Sequence, residues 1–365
     1  MYIHQIEKWP NFSWDREKIA GLLVLLRHQQ GCLIGAMKSI GFHVQEQTML
    51  QALTQDVVKS SEIEGEILDR SQVRSSVARH LGIDVAADPV DRNIEGVVEM
   101  VLDATQNFAD PLTQERLFQW HASLFPTGWS GLSKIHVGQW RKGTVQVVSG
   151  RLDKERIHFD APPAERVCHE MKLFLDWFNT ETTLDLVLKS AIAHLWFVTI
   201  HPFEDGNGRI GRAIADMLLA RSENSCCRFY SLSSQIQKDR KSYYAILETT
   251  QKGDLTITSW IEWFFGSLER AIQDALVSLD KVLQKGQFWD SLANVPLNDR
   301  QRLLINRLLD GLEGKLTSSK WAKIAKCSQD TALRDIHDLI ARGILAKNPE
   351  GGRSTGYSLV FQRQV

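Results

Sequence analysis

Apolar residues recur at helical spacing along most of the chain. The 3.6-residue pattern runs through residues 14–40, 52–58, 67–77, 93–104 and 114–124, with a connection at 84–88 closed by Pro89. It returns after Pro162-Pro163 over 164–179, 184–200, 210–220, 240–251 and 258–284. Segment 184–200 is apolar on nearly every side, which marks a helix buried at a domain centre. Between Trp129 and Pro163 the pattern breaks. There Gly128, Gly131, Gly138, Gly143 and Gly150 punctuate short runs such as Thr144-Val145-Gln146-Val147-Val148, which is β-hairpin chemistry.

The tail has a character of its own. Residues 299–310, 318–325 and 329–342 predict three short helices. Gly343-Ile344-Leu345, a glycine-rich turn at 351–356 and Tyr357-Ser358-Leu359-Val360 then predict a two-stranded wing. That order is the plan of a helix-turn-helix with a β-hairpin appended. From Asp299 to Arg363 there are twelve Lys and Arg against seven Asp and Glu, a local charge of +5. Over all 365 residues the balance is −1, which excludes a globally basic nucleic-acid binder. The length predicts two or three domains.

The five cysteines, Cys32, Cys168, Cys226, Cys227 and Cys327, form no CxxC pattern, which argues against both a disulfide framework and structural zinc. The opening MYIHQIEKWP lacks the basic-then-apolar order of a leader, and apolar runs such as Leu22 to Leu26 are short. A bilayer span needs about 20 apolar residues. A soluble, cytoplasmic protein without membrane contact is therefore expected.

The chemistry concentrates in His201-Pro202-Phe203-Glu204-Asp205-Gly206-Asn207-Gly208-Arg209-Ile210-Gly211-Arg212, where one buried helix ends and another begins. A Gly-Asn-Gly turn at a helix N-terminus aims backbone N–H groups and the positive end of the helix dipole at one spot. Arg209 and Arg212, three residues apart, lie close to one helix face and add two guanidinium forks. The combination suits a polyphosphate. Asp205 can hold the Mg²⁺ that accompanies a nucleotide, and His201 can act as general base near neutral pH. The pattern is neither a Walker A loop nor a Rossmann fingerprint, because helix precedes it.

This stretch matches HxFx[D/E]GNGRxxR and resembles the signature of the Fic family at every defined position, with the likeness extending over roughly 91–265. The resemblance implies a mainly α fold: a helical Fic core with a β-hairpin flap, here followed by the winged helix-turn-helix. The implied domains are 1–90, 91–290 (flap about 139–159) and 296–365. It further implies a protein adenylyltransferase that moves AMP from ATP to a Ser, Thr or Tyr hydroxyl of a target docked on the flap, with release of pyrophosphate. His201 would be the catalytic base and Asp205 the Mg²⁺ ligand. The ATP site would comprise Asp205, Gly206, Asn207, Gly208, Arg209, Ile210, Gly211 and Arg212, with Val148, Ser149 and Gly150 of the flap. Val147 would also lie close to the nucleotide. Tyr243, Tyr244 and Gln251 resemble positions lining the nucleoside pocket.

Ser60-Ser61-Glu62-Ile63-Glu64-Gly65 fits the family's inhibitory pattern [S/T]xxxE[G/N]. Ser60 and Glu64 fall on one helix face, with Val57 and Leu68 on the same side. The resemblance implies that Glu64 pairs with Arg212 and blocks the γ-phosphate position. Trp9-Pro10, Phe12 and Trp14 resemble an N-terminal domain of bacterial relatives, implied to pack the inhibitory helix on the core. Thr331-Ala332-Leu333-Arg334-Asp335 resembles a recognition helix, so Arg334, Lys347 and Arg353 are candidate phosphate contacts to DNA. Self-modification and a homodimer are compatible partners. Two other readings stand beside the first: a Fic-type transferase that uses another donor or removes AMP, and a nucleotide-sensing DNA-binding regulator.

Overall fold

The computed structural model describes residues 1–84, 88–149, 156–349 and 355–360. It divides into two compact units, Met1–Val277 and Ser278–Val365. The first unit opens with a 3-10 turn, Ile3–Gln5, followed by α1 (Arg16–Lys38), α2 (Phe42–Ile63), α3 (Arg70–Leu81), α4 (Arg92–Gln106) and α5 (Gln114–Leu124). Two antiparallel hairpins come next. One pairs β1 (Trp129–Ser130) with β2 (Ser133–Lys134), and the other pairs β3 (Gln146–Ser149) with β4 (Arg156–Asp160), with a bulge between Val147 and Val148. Then come α6 (Ala164–Thr180), α7 (Leu186–Ile200), α8 (Asn207–Glu223), α9 (Leu232–Lys238), α10 (Arg240–Gln251) and α11 (Thr258–Ser291).

The helices begin where short polar side chains stand ready to cap them. Asp15, Asp69, Thr113 and Asp185 accept hydrogen bonds from the first free N–H groups of α1, α3, α5 and α7. α7 is buried from Val187 through Ile200, as a helix apolar on all sides must be. Its main partner is α8, buried from Arg209 to Ala220, and α4 also packs against α8.

The N-terminal helices make no separate core. Leu50, Leu53 and Val57 of α2 and Val73 and Val77 of α3 are buried within the same unit as α7 and α8. The expected division near residue 90 therefore separates no compact bodies, and the second unit starts at Ser278, inside α11, rather than near 290. α2 also begins ten residues earlier than its apolar pattern, because 42–51 is polar and buries only Leu50. The segment 64–69 is not helical, so α3 starts at Arg70. Trp9 and Phe12 pack edge-on against Trp196 of α7, and Trp9 Nε1 donates to Glu170 of α6 at 2.8 Å. Those contacts tie the N-terminal segment to α6 and α7.

Among the described residues one helix, α1, is long and apolar enough by length and composition to cross a membrane, which the short apolar runs did not predict. It buries one stripe, Ile19, Leu26, Gln30, Leu33 and Met37. Arg27 pairs with Asp185 at 3.0 Å, and Gln30 donates to Glu223 at 2.7 Å.

The second unit contains the end of α11, then α12 (Asp299–Leu309), α13 (Ser318–Ala325) and α14 (Gln329–Ala341). β5 (Leu345–Lys347) pairs antiparallel with β6 (Tyr357–Leu359), Leu345 opposite Leu359. Its core gathers Leu304, Ile305, Leu316, Trp321, Ile336, Leu339 and Tyr357.

Candidate active site

His201 is the residue on which α7 ends, in a left-handed conformation (φ 52°, ψ 58°). Its N–H donates to Phe197 O at 3.0 Å, and its Nδ1 lies 3.1 Å from Val198 O. A carbonyl accepts only, so Nδ1 carries the proton and Nε2 keeps its lone pair. Burial holds the imidazole pKa below the ordinary histidine value, and the nearby Arg141 charge acts in the same direction. The ring is therefore neutral at physiological pH, as a general base must be.

The turn that follows is held from inside. Phe203 is fully buried, stacked on His121 at 4.2 Å between ring centres, and its backbone N–H and carbonyl both bond the side-chain amide of Asn207, at 2.9 and 2.8 Å. Asn207 is thus a bracket for the loop, and it also lines the cleft. Gly206 takes φ +81°, and a Cβ there would press within 3.0 Å of Phe125. Asp205 accepts from its neighbour's N–H (Gly206, 2.6 Å) and from the Ser130 hydroxyl of β1. Glu204 binds the backbone and ring of His136.

Both motif arginines are occupied by the segment 60–66. Arg212, 2% exposed, donates from Nε to Ser60 Oγ at 2.9 Å and from Nη2 to Ser60 O at 2.7 Å, while Nη1 lies 2.8 Å from Glu64 Oε1. Arg209 donates from Nη1 to Glu66 Oε2 at 2.5 Å and lies over the Phe125 ring. The geometry differs from the expected single helix face. α2 stops at Ile63, Glu64 is its C-cap and Gly65 takes φ +89°, so the chain turns and brings Glu66 round to Arg209. Leu68 lies beyond the helix. A Cβ on Gly208 would stand 2.1 Å from Glu64 Oε1, so the carboxylate fills the space that glycine leaves in the motif turn.

A cleft of about 610 Å³ opens above this turn, walled by Val145 to Val148 of the flap and by Tyr243, Tyr244 and Gln251 of α10. His201, Asp205, Gly208 and Glu64 form part of its lining, whereas Arg209 and Arg212 do not reach it. Ile210 is fully buried, and Gly211 is where α8 crosses α7: a Cβ there would meet Val198 Cγ1 at 2.8 Å. These two motif residues serve helix packing, not a ligand. Tyr243 is also largely core. Its hydroxyl bonds His194 Nε2 at 2.9 Å, burial pushes its pKa up, and burial holds His194 down at about 3. Gln251 donates to Thr199 Oγ1 at 3.2 Å. Tyr244 Oη reaches Ile63 O at 3.3 Å, at the end of α2. Ser149 ends β3, and Gly150 lies outside the described residues, as does Arg353.

Several contributors carry no sequence signal. Glu66 is one acidic residue among three at alternating positions, and Ser130 sits in a separate small hairpin. Glu248 of α10 anchors the flap, accepting from Arg156 at 3.0 Å and bonding His158 Nδ1 at 2.6 Å. Arg141 is buried beneath His201.

Comparisons with known proteins agree with this geometry. Residues 111–219 match the Fic/DOC family model, a narrower span than the likeness read from the sequence, and residues 2–83 match a domain of unknown function, DUF4172. Protein adenylyltransferase fic-1 of Caenorhabditis elegans is 31% identical over 147 residues, covering 38% of this chain and 28% of that protein. Protein adenylyltransferase Fic of Drosophila willistoni is 26% identical over 209 residues, covering 56% and 38%. The chain thus spans between about a fifth and two fifths of the length of the curated relatives it matches. A crystal structure of a Fic family protein from Desulfovibrio desulfuricans G20 superposes with a TM-score of 0.53 at 22% identity, covering 94% of this chain and 97% of that one, a likeness of fold. Motif, fold and family match thus agree on a Fic/DOC domain at residues 111–219 of this chain.

Proposed function

We propose that the chain is a protein adenylyltransferase held in an inhibited state by its own residues 60–66, working in the cytoplasm, where its five cysteines remain thiols. The observation that carries this reading is a neutral His201 with Nε2 unassigned, beside a glycine turn whose two arginines are both bound by carboxylates of the same chain. His201 takes the proton of a target Ser, Thr or Tyr hydroxyl. That oxygen attacks the α-phosphorus of ATP, the bond to the β-bridging oxygen breaks, and pyrophosphate leaves. Backbone N–H groups at the start of α8 offer the phosphates their donors. Arg209 and Arg212 bind the β- and γ-phosphates once Glu66 and Glu64 leave them. The Asp205 carboxylate fits Mg²⁺: it is a hard oxygen donor at the cleft, each oxygen accepts one neutral hydrogen bond, and lone pairs remain. Such an ion, when bound, supplies charge neutralisation at the phosphates. The flap edge at Val147 and Val148 presents main chain to an extended target segment.

The test is transfer of label from ATP, marked at the α or the γ position, to the protein itself or to proteins of a lysate. Wild type, Glu64→Gly and Glu64→Gly/His201→Ala are compared with Mg²⁺ present. The expected result is α label only, strong in Glu64→Gly and absent from the double variant. Transfer of γ label would mean phosphotransfer. No label in any lane would leave another donor, removal of AMP, or nucleotide sensing as the activity.

For the second unit we propose a winged-helix module that contacts DNA phosphates. Arg334 of α14 and Lys347 of β5 are exposed, and Asp335 beside them is already paired with Arg300 at 2.8 Å. Filter binding to duplex DNA should weaken steeply with salt; affinity that ignores salt removes the reading.

A further inference from the structure

We infer that Arg141 is the positioning residue of the site, fixing His201 and both stems of the flap through one buried guanidinium; the catalytic part of this inference rests on the transferase reading above. Arg141 is 2% exposed, yet its polar contacts run to carbonyls rather than to a carboxylate. Nε donates to His201 O at 2.7 Å, Nη1 to Gly143 O at 2.7 Å and Nη2 to Pro162 O at 2.5 Å, with Ile200 O 3.5 Å away. Its backbone N–H adds a bond to Pro202 O at 2.9 Å.

Two consequences follow. The C-terminal carbonyls of α7 lack intrahelical partners and carry the negative end of the helix dipole. A guanidinium whose donors radiate in one plane reaches the last of these, Ile200 O and His201 O, and both flap stems at once, which an ammonium on a flexible stem does not do with the same geometry. His201 sits in the left-handed region that residues other than glycine avoid. Its N–H, its carbonyl and its Nδ1 are each assigned, to Phe197, Arg141 and Val198, so Nε2 is the one polar atom left for chemistry.

The second consequence concerns the flap. Gly143 and Pro162 lie just outside its two strands, whose stems are joined by the Ala161 N–H to Val145 O bond at 3.1 Å. The same side chain therefore sets where the base stands and where the cleft roof begins. The charged groups facing His201 are Arg141 from the flap stem, Glu64 from the end of α2 and Asp205 from the motif loop.

The test uses the full chain in a Glu64→Gly background, with Arg141→Lys, which keeps the charge but not the fork, and Arg141→Gln, which keeps neither. Both should lower kcat about 100-fold, the scale of a displaced general base, with KM for ATP changed less than about threefold. The acid limb of the pH profile should move to higher pH in Arg141→Gln and stay in place in Arg141→Lys, since only the former removes a cation that depresses the base. A kcat within about fivefold of the parent in a folded Arg141→Lys protein would overturn the inference.

Two measurements do not depend on AMP transfer or on variants. In wild type, nitrogen NMR should find His201 as the Nδ1–H tautomer, and the Arg141 Nε–H should exchange slowly with solvent. A rapidly exchanging Nε–H, or the other tautomer, defeats the inference even if no lane transfers label. Correct tautomer and protection with no transfer in the Glu64→Gly parent would count against the transferase reading alone.

Discussion

α2 and α8 are linked by ion pairs at two places about one helical turn apart, and the two are built differently. Toward the cleft, Arg212 and Arg209 meet Glu64 and Glu66, whose side chains are 29% and 39% exposed. Further along, Asp56 lies four residues before Ser60 and Asp216 four after Arg212, and Arg228 stands between them, 3.9 Å from Asp56 and ion-paired with Asp216. These three are 4% exposed or less. Burial pushes the Asp216 carboxyl above the ordinary range, with Arg228 pulling it back. Asp56 is further held by the Ser231 hydroxyl at 2.6 Å. Sealed ions are costly to separate because a lone charge left inside has no solvent to receive it; at the cleft only the arginines are buried, and Glu64 and Glu66 leave into water while Arg212 keeps its bonds to Ser60. One site is an anchor and the other a latch: α2 can stay docked while its last turn releases the arginines.

The largest expected effect comes from breaking the anchor. Arg228→Met leaves Asp56 and Asp216 without their cation and should destabilise the first unit by about 3–5 kcal/mol, read from urea unfolding. A loss below about 1 kcal/mol would mean that the cluster anchors nothing. Glu64→Gly, which opens the latch, leaves the buried Arg212 with its Ser60 bonds and should cost about 1–3 kcal/mol, less than Arg228→Met, while raising α-label transfer about tenfold or more, the scale of a typical coupling between sites. Equal transfer by wild type and variant would remove the latch.

Glu66→Gln sharpens the comparison within the latch. Its carboxylate is the more exposed of the two, so transfer should rise only about two- to threefold. Added to Glu64→Gly it should bring little more, and a rise as large as that of Glu64→Gly would make Arg209 the main point of inhibition. The smallest effect concerns the flap tie. Lys252 first, then His158 and Arg156, hold the Glu248 carboxyl down from 4.5 to about 2. The folded value lies below the unfolded one, so the tie is fully present above pH 4.5 and is lost as pH falls toward 2. Hydrogen exchange should find the Val147 and Ile157 amides losing protection across that window before those of α7 do.

The motif was legible because its residues are contiguous: a histidine, a carboxylate, a glycine turn and two arginines gather at one helix N-terminus when they are neighbours in sequence. Ser60 and Glu64 were legible for a similar reason, four residues apart on one element. Periodicity overreached where it assumed that the helix continued, since Gly65 turns the chain and makes Glu66 a second partner. The family resemblance placed Ile210 and Gly211 at the nucleotide, although a buried side chain and the lack of one answer there to packing inside the α7–α8 pair.

By itself the sequence determined the elements and the local chemistry: a mainly helical chain, a hairpin ahead of the central helices, and a site where α7 hands over to α8. These depend on residues a few positions apart, through side-chain periodicity, capping and turn geometry. What only the tertiary structure decided is which distant charges meet. Glu66 with Arg209, Arg228 between Asp56 and Asp216, Glu248 on the flap and Arg141 under His201 join residues that are 143, 172, 12, 92 and 60 positions apart. No local spacing encodes such pairs; they arise because burying the apolar faces of α2, α7 and α8 removes water from the charged groups between them, and each must then find a partner.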